Sequence, residues 1–349
     1  MELSKNDELM TRLRALGLSY YEAKAYITLL QGDAMTTTEI AKKAHIPQPR
    51  VYDVLHSLEE KALVISSDGR PKLYRAVEPR QALLRLTKRL ERNIRENYEV
   101  AVNILEKIYK TRPKQSNDII WRINSLANLK LKIIEAINYA EHEVLVSCYK
   151  HMMKFLEKPL KDAYKRGVST CLVSFDEIDA KEFVDELRIR KTRGIVIVVP
   201  DRKMLVFSTI LHHLEETTAT GYYTENKGLI KLFTEYFLHN LRDLSKPIYF
   251  AYGDKVFNRR FTNILRAIDM INILREKKAN VIVKVYGRLV SSREPTILIG
   301  RPINTLYNIY IGVARITVRT IDGRTYTIGG WGAYLEDIES DIVEVIGEK

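Results

Sequence analysis

The sequence predicts a multidomain α+β protein, and three observations predict it. Between Thr36 and Ala76 a short helix, a turn, a longer helix and a basic hairpin follow one another. A long helix with an apolar residue at every third or fourth position comes next. The rest of the chain passes from alternating strands and helices to a strand-rich tail that carries a glycine cluster. The expected division is 1–79, a winged helix-turn-helix; 80–113, a coiled-coil helix; 114–246, an α/β domain; and 247–349, a β-rich domain. For 349 residues that agrees with a prior of about 150 residues per domain.

The winged segment is built from local signals. Ser19 and Glu22 have capping-box spacing and start a first helix with Tyr21, Ala25, Tyr26, Leu29 and Leu30 on one face. Thr36 and Glu39 repeat that spacing and open a short helix that His45-Ile46-Pro47 ends. From Gln48 to Lys61, Val51, Leu55 and Leu58 form a buried stripe, with Pro49 in the first turn where no N–H is needed. Arg50, Tyr52, Asp53 and His56 then point outward. Two apolar runs around Asp68-Gly69 make a hairpin with Arg70 and Lys72 at its tip. A helix fits the major groove and a basic wing can lie on phosphates, so Gln48, Arg50 and Tyr52 are the expected base readers and Arg70, Lys72 and Arg75 the expected phosphate contacts on double-stranded DNA. The alternative is a small helical subdomain without DNA.

Pro79 opens the long helix and Thr111-Arg112-Pro113 closes it. Leu83, Leu86, Leu90, Ile94, Asn97, Ala101, Ile104 and Ile108 form a coiled-coil seam, which predicts a homodimer that reads a palindromic operator. The same face could instead pack on its own chain.

A net charge of +12 and a pI near 9.4 favour a polyanionic partner, and about half the excess lies in the first 114 residues, where 21 basic residues face 15 acidic ones. Cys148 and Cys171 sit in apolar runs without metal-ligand spacing, so reduced core thiols are expected, with no metal and no cofactor. No leader peptide and no apolar run of about 18 residues is visible, so a soluble, cytoplasmic protein is expected, with no membrane partner. Scarce Gln beside abundant Lys, Arg, Glu and Ile agrees with a hot-living source.

From Asn117 to Leu244, strands are expected at 119–123, 143–148, 169–174, 194–199 and 204–208. Helices are expected at 125–140, 154–166, 180–192 and 229–241. The segment from Asp201 to Ser208 resembles the place where a phospholipase-D-like fold carries its His-x-Lys-x4-Asp element. Asp201 stands in place of the nucleophilic His, Lys203 remains, and Ser208 replaces the Asp; His212-His213 lacks the spacing. Covalent phosphoryl transfer needs that His, so the domain is expected to be a non-catalytic relative, with no catalytic residue and no enzymatic activity.

The tail starts at Pro247, with a helix expected over 255–276 and strands at 280–290, 296–300, 307–314, 315–320, 324–329 and 341–346. Asp322-Gly323 joins two of them as a hairpin. In Gly329-Gly330-Trp331-Gly332-Ala333-Tyr334-Leu335-Glu336-Asp337-Ile338-Glu339 the glycines let main chain approach a ligand, Trp331 can stack on a sugar face and a carboxylate can hold paired hydroxyls, which suits a neutral polyol better than a phosphate. A glycine turn before an acidic solvent face would read the same way.

The order of parts resembles the archaeal TrmB family of sugar-responsive transcriptional regulators across essentially the whole chain. Tyr74-Arg75-Ala76-Val77-Glu78-Pro79 and the glycine-rich segment carry the resemblance. It implies that Gly330, Gly332 and Glu336 hold a sugar effector, with Trp331 offsetting Leu335, which sits where relatives place an aromatic. It also implies an Asn from a preceding strand, Asn308 or else Asn304, and an α-linked disaccharide or oligosaccharide as the ligand. The function that follows is regulation of sugar uptake or metabolism genes. An architectural chromatin protein without an effector and a phospholipase-D-type phosphodiesterase are the two other classes.

Overall fold

The computed structural model describes residues 5–111, 119–209, 220–251, 256–308 and 312–348. The chain divides into two compact units, Met1–Lys114 and Gln115–Lys349.

In the first unit, helices α1 (Lys5–Ala15), α2 (Tyr20–Leu30), α3 (Thr37–Lys43) and α4 (Gln48–Glu60) surround one core. Ser19 and Thr36 both cap with complete capping boxes, as their spacing predicts. Val51, Val54, Leu55 and Leu58 of α4 are buried. Strands β2 (Val64–Ser66) and β3 (Leu73–Ala76) form the wing, and β3 also pairs with the two-residue β1 (Met35–Thr36) in the order β1-β3-β2. Neither α1 nor β1 is signalled in the sequence: α1 buries only Leu13 deeply, and β1 is two residues long. Beneath the motif, buried Glu22 accepts from Lys61 Nζ at 2.7 Å and from Ser57, which ties α2 to the end of α4.

Helix α5 (Pro79–Thr111) serves two surfaces. Ala82 and Leu86 are buried in the winged core, with Leu83 and Leu90 partly so. Beyond Leu90 the expected seam is bare: Ile94, Ile104 and Ile108 are 68%, 54% and 60% exposed, and Tyr98 and Leu105 stand beside them. The first turns of the seam therefore do pack on their own chain, and only the remainder is left for a partner.

The second unit begins with an eight-stranded mixed sheet in the order β11-β7-β6-β5-β8-β9-β10-β4. Its strands are β4 (Ile120–Ile123), β5 (Glu143–Cys148), β6 (Ser169–Ser174), β7 (Glu186–Ile189), β8 (Val196–Pro200), β9 (Leu205–Ser208), β10 (Gly221–Thr224) and β11 (Lys246–Phe250). Helices α6 (Leu126–Tyr139), α7 (Met153–Lys165) and α8 (Lys227–Tyr236), the last running into a π-helical turn Phe237–Arg242, supply the other half of its core. Two expectations are corrected and one strand is added. Residues 180–192 are not a helix but contain β7, whose charges misled because Asp185, Glu186 and Arg188 are buried in ion pairs rather than solvated. Lys246–Phe250, expected to open the tail, is an edge strand of this sheet paired with β7. Strand β10 has no counterpart among the expected elements. His212 and His213 lie outside the described residues.

The C-terminal part is a second sheet of β12 (Val256–Phe261), β13 (Asn280–Leu289), β14 (Pro295–Asn308), β15 (Val313–Thr320), β16 (Thr325–Gly329) and β17 (Ile338–Glu348). The order β12-β17-β13-β14-β15-β16 closes on itself through a parallel β16–β17 pairing, and α9 (Ile264–Glu276) packs against its strands. The helix expected from residue 255 starts only at Ile264. Phe257 and Phe261 are buried between exposed Val256, Asn258 and the half-exposed Arg260, a broad period of two that makes β12 a strand along β17. The strand expected over 307–314 is likewise two strand ends, with Gly312 at φ 65° between them and 309–311 outside the described residues. The Asp322-Gly323 turn joins β15 to β16 as expected, Gly323 taking φ 84°.

Candidate functional site

In the first unit the residues expected at DNA are exposed. Gln48, Arg50 and Tyr52 are exposed on the first turns of α4 because Pro47 and Pro49 start that helix and Val51 turns inward between them. Arg50 lies 5.7 Å over the Tyr21 ring, which steers its guanidinium without neutralising it. On the wing Arg70 is exposed, while Lys72 stands 3.6 Å from Glu59 and 5.1 Å over Tyr74. Partial desolvation pulls the Lys72 pKa down, but Tyr74 and Glu59 outweigh it and the net shift is upward, so the charge is secure at neutral pH. Arg75 is 3.7 Å from Asp33. Such exposed pairs are worth only about 0–1 kcal/mol, so phosphates can displace them.

The second unit holds a cavity of about 280 Å³. One wall is α8 and its π-helical end, with Lys231, Thr234, Glu235 and His239; another is the start of α9, with Asn263 to Leu265. The end of β14, the start of β15 and the loop Gly330–Glu336 complete it, with Arg202 reaching in from the β8–β9 turn. Four of the five residues expected at a sugar, Gly330, Trp331, Gly332 and Glu336, are thus brought together. Asn308 is not in the lining; its neighbour Tyr307 is, because successive strand residues face opposite ways, and Asn304 is not in the lining either.

Local chemistry explains the glycines. A Cβ on Gly330 would lie 2.7 Å from Ile264 Cγ2, so only glycine lets the loop dock on α9. Gly332 takes φ 83°, and its N–H already donates to Glu339 Oε1 at 2.9 Å, so that amide shapes the loop instead of waiting for a ligand. A Cβ on Gly329 would lie 2.7 Å from Glu336 Oε2. Glu336 is 9% exposed; Arg315 Nε and Nη2 donate to its Oε1, both at 3.3 Å, while its Oε2 accepts from none of the described residues. Thr234 Oγ1 is buried against the cavity with no partner among the described residues. On the far side Tyr307 O–H stands 3.0 Å from His239 Nδ1 and 3.3 Å from Asp243, and burial together with that carboxylate pushes its pKa up to about 12. A free carboxylate oxygen, an unpaired hydroxyl and a protonated phenol in one pocket match a polyhydroxylated ligand. Arg202, Lys231, Thr234, His239 and Tyr307 carried no sequence signal, since they come from separate elements.

Asp201 has a structural task. The Asp201 carboxylate accepts the main-chain N–H groups of Glu141, His142 and Glu143 at 2.7, 2.9 and 2.8 Å. Lys203 pairs with Glu141 at 3.6 Å, and Ser208 Oγ donates to the Thr220 carbonyl. No group of three or more metal-binding side chains occurs among the described residues, and none of their helices is long and apolar enough to cross a membrane.

Known proteins resemble this chain along most of its length. Family models match residues 13–80 (sugar-specific transcriptional regulator TrmB), 119–249 (the N-terminal subdomain of the TrmB effector-binding domain) and 256–348 (the C-terminal subdomain in TrmB and TrmBL1). The HTH-type sugar sensing transcriptional regulator TrmBL1 of Pyrococcus furiosus is 24% identical over 96% of this chain and 97% of its own length. The DNA-binding HTH-type transcriptional repressor TrmBL2 of Thermococcus kodakarensis is 27% identical over 45% of this chain and 62% of its own length. A solved structure of TrmBL2, described as an archaeal chromatin protein, overlays 70% of this chain and all of its own at 22% identity and a TM-score of 0.47. With models of one family matching in sequence from the winged helix to the last strand, the chain belongs to the TrmB family of transcriptional regulators.

Proposed function

We propose that this protein is a sequence-specific, DNA-binding regulator of sugar uptake or metabolism genes whose operator affinity is set by a sugar in the α8–α9 cavity. The observation that carries the reading is the joining of Glu336, Thr234 and the Gly330–Gly332 loop around one cavity in a chain that also bears a winged helix with exposed basic residues. Gln48, Arg50 and Tyr52 read base edges, and Arg70, Lys72 and Arg75 hold phosphates. Glu336 accepts hydroxyl hydrogen bonds, and Trp331 closes the pocket. A cavity of about 280 Å³ is at the small end of the roughly 300–1,000 Å³ of ligand pockets, which favours an α-linked disaccharide over a longer chain.

Residues 80–113 join two copies through the bare stripe of Ile94, Ile104 and Ile108, so the operator is palindromic. Changing Ile104 to Lys is expected to convert a dimer to a monomer in sedimentation equilibrium; a variant that stays dimeric would take the interface off this helix. The α/β subdomain is a phospholipase-D-like scaffold without catalysis, because Asp201 is fully occupied by main-chain amides. The protein is cytoplasmic and is not an enzyme in this reading. An architectural DNA-coating role shares the positive charge but leaves the polar cavity without a use.

The two halves of the DNA face are separable. Lys72→Ala should lower the slope of log K against log salt by roughly 1 without changing sequence preference, whereas Arg50→Ala should relax preference at one base position by about 1–3 kcal/mol. Binding measured by fluorescence anisotropy across salt concentrations checks both, and an unchanged slope for Lys72→Ala would remove the wing from the phosphates.

A further inference from the structure

Two cations line the cavity beside Glu336, Thr234 and Tyr307. Arg202 arrives there through an unusual turn: Asp201 and Arg202 both take left-handed backbone, at φ 48° and 55°, a conformation that residues with a Cβ rarely adopt. The three amides gathered by the Asp201 carboxylate hold that turn in place. Its consequence is that the Arg202 guanidinium sits 5.1 Å over the Trp331 ring, using one hydrogen bond, from Nη2 to the Asp341 carbonyl at 2.8 Å. Lys231 Nζ lies 5.9 Å from the same ring. Neither side chain forms an ion pair among the described residues.

The carboxylates nearby are already used. Glu336 is matched by Arg315, and Glu235 stands 3.3 Å from His239. Of the acids whose charge reaches Arg202, Glu143 binds Arg266, Thr262 and Asn263; Glu339 binds Arg293 and the Gly332 N–H; Asp341 binds Arg288; and Asp201 binds its three amides. Two cations that form no ion pair among the described residues are therefore held near one indole at the wall of a ligand cavity, an arrangement that offers donors and positive charge to an anionic group.

We propose that the effector is an acidic sugar, carrying a phosphate monoester or a carboxylate that Arg202 and Lys231 hold beside Trp331 while Glu336 takes the hydroxyls at the other end. The neutral polyol expected from the glycine-rich segment lacked these two residues, which the sequence keeps far from it. This inference rests on the sugar-binding reading of the cavity.

Calorimetric titration of the full chain with matched probes tests it: glucose, glucose 6-phosphate and glucuronate, then trehalose and trehalose 6-phosphate, with inorganic phosphate alone. The acidic members should bind roughly ten-fold or more tighter than their neutral partners, a gap that narrows as salt is raised. Arg202→Gln and Lys231→Gln should each shrink that ratio by weakening the acidic member more than its neutral partner, with Arg202→Lys intermediate. Neutral sugars binding as tightly as acidic ones, a ratio unmoved by Arg202→Gln, or phosphate alone binding as well as a sugar phosphate would each overturn the acidic-sugar inference while the sugar site stands. Absence of binding by every sugar would overturn both.

Discussion

Replacing Glu186 by Gln is expected to destabilise the second unit by about 3–5 kcal/mol, the usual cost of removing one partner from a buried ionic cluster. Glu186 is 2% exposed on β7, and three guanidinium groups converge on it: Arg188 Nε at 2.5 Å, Arg242 Nε at 2.8 Å and Arg266 Nε at 3.0 Å. The Arg242 Nε–H makes no aligned hydrogen bond, so that pair acts through charge alone. Burial by itself would raise the Glu186 pKa, but Arg242, Arg266 and Arg188 together hold it well below the ordinary carboxylate range. Glutamine keeps the shape, leaves Arg188 without a carboxylate, and leaves Arg242 only Asp243 and Asp269 and Arg266 only Glu143. Because the folded pKa is depressed, the stabilisation is fully present above the unfolded value of 4.5 and is lost as pH falls below it. Urea unfolding at pH 7 and in acid should therefore show a large gap between wild type and Glu186→Gln that narrows on acidification. Equal midpoints at pH 7 would remove the cluster from the stability of the fold. Arg266 also binds Glu143 at 2.7 Å, and Glu143 Oε2 accepts from the main chain of Thr262 and Asn263, so the cluster fixes the start of α9, which lines the cavity.

Glu336→Ala is expected to weaken sugar binding about 100-fold or more, since two hydrogen bonds to a charged acceptor are worth about 1.5–3 kcal/mol each. The same carboxylate can be disturbed without being removed. In Gly329→Ala the new methyl would lie 2.7 Å from Glu336 Oε2 and 2.4 Å from Ala333 Cβ, so the loop must shift, and affinity should fall in the same direction. Calorimetry on both variants, with thermal melts to show that each is folded, reads the effect. Unaltered affinity in folded Glu336→Ala would place the ligand elsewhere.

The parts of the fold written in local signals were legible in the sequence. Capping boxes at Ser19 and Thr36, the stripe Val51-Leu55-Leu58 and the apolar runs at 143–148 and 169–174 all specify their elements within a few residues. What failed were segments whose meaning depends on distant partners. Asp185, Glu186 and Arg188 look solvated until Arg259, Arg242 and Arg266 are placed against them, so β7 resembled a charged helix. Strand β12 and helix α9 blurred into one helix because Phe261, Ile264, Leu265, Ile268 and Ile271 satisfy helical spacing. The cavity divides in the same way. Gly330, Gly332 and Glu336 lie within seven residues and announce themselves, whereas Thr234, Tyr307 and Arg202 meet them only through the packing of α8, β14 and the β8–β9 turn.

Coupling between the sugar cavity and the winged helix is read from the affinity for an operator selected from random duplexes, measured with and without saturating sugar. Wild type should change its operator affinity by a factor of about 5–150, the span of a coupling free energy of about 1–3 kcal/mol, and Glu336→Ala should show no change at the same sugar concentration. Operator affinity that stays constant in wild type while calorimetry shows the cavity filled would contradict it.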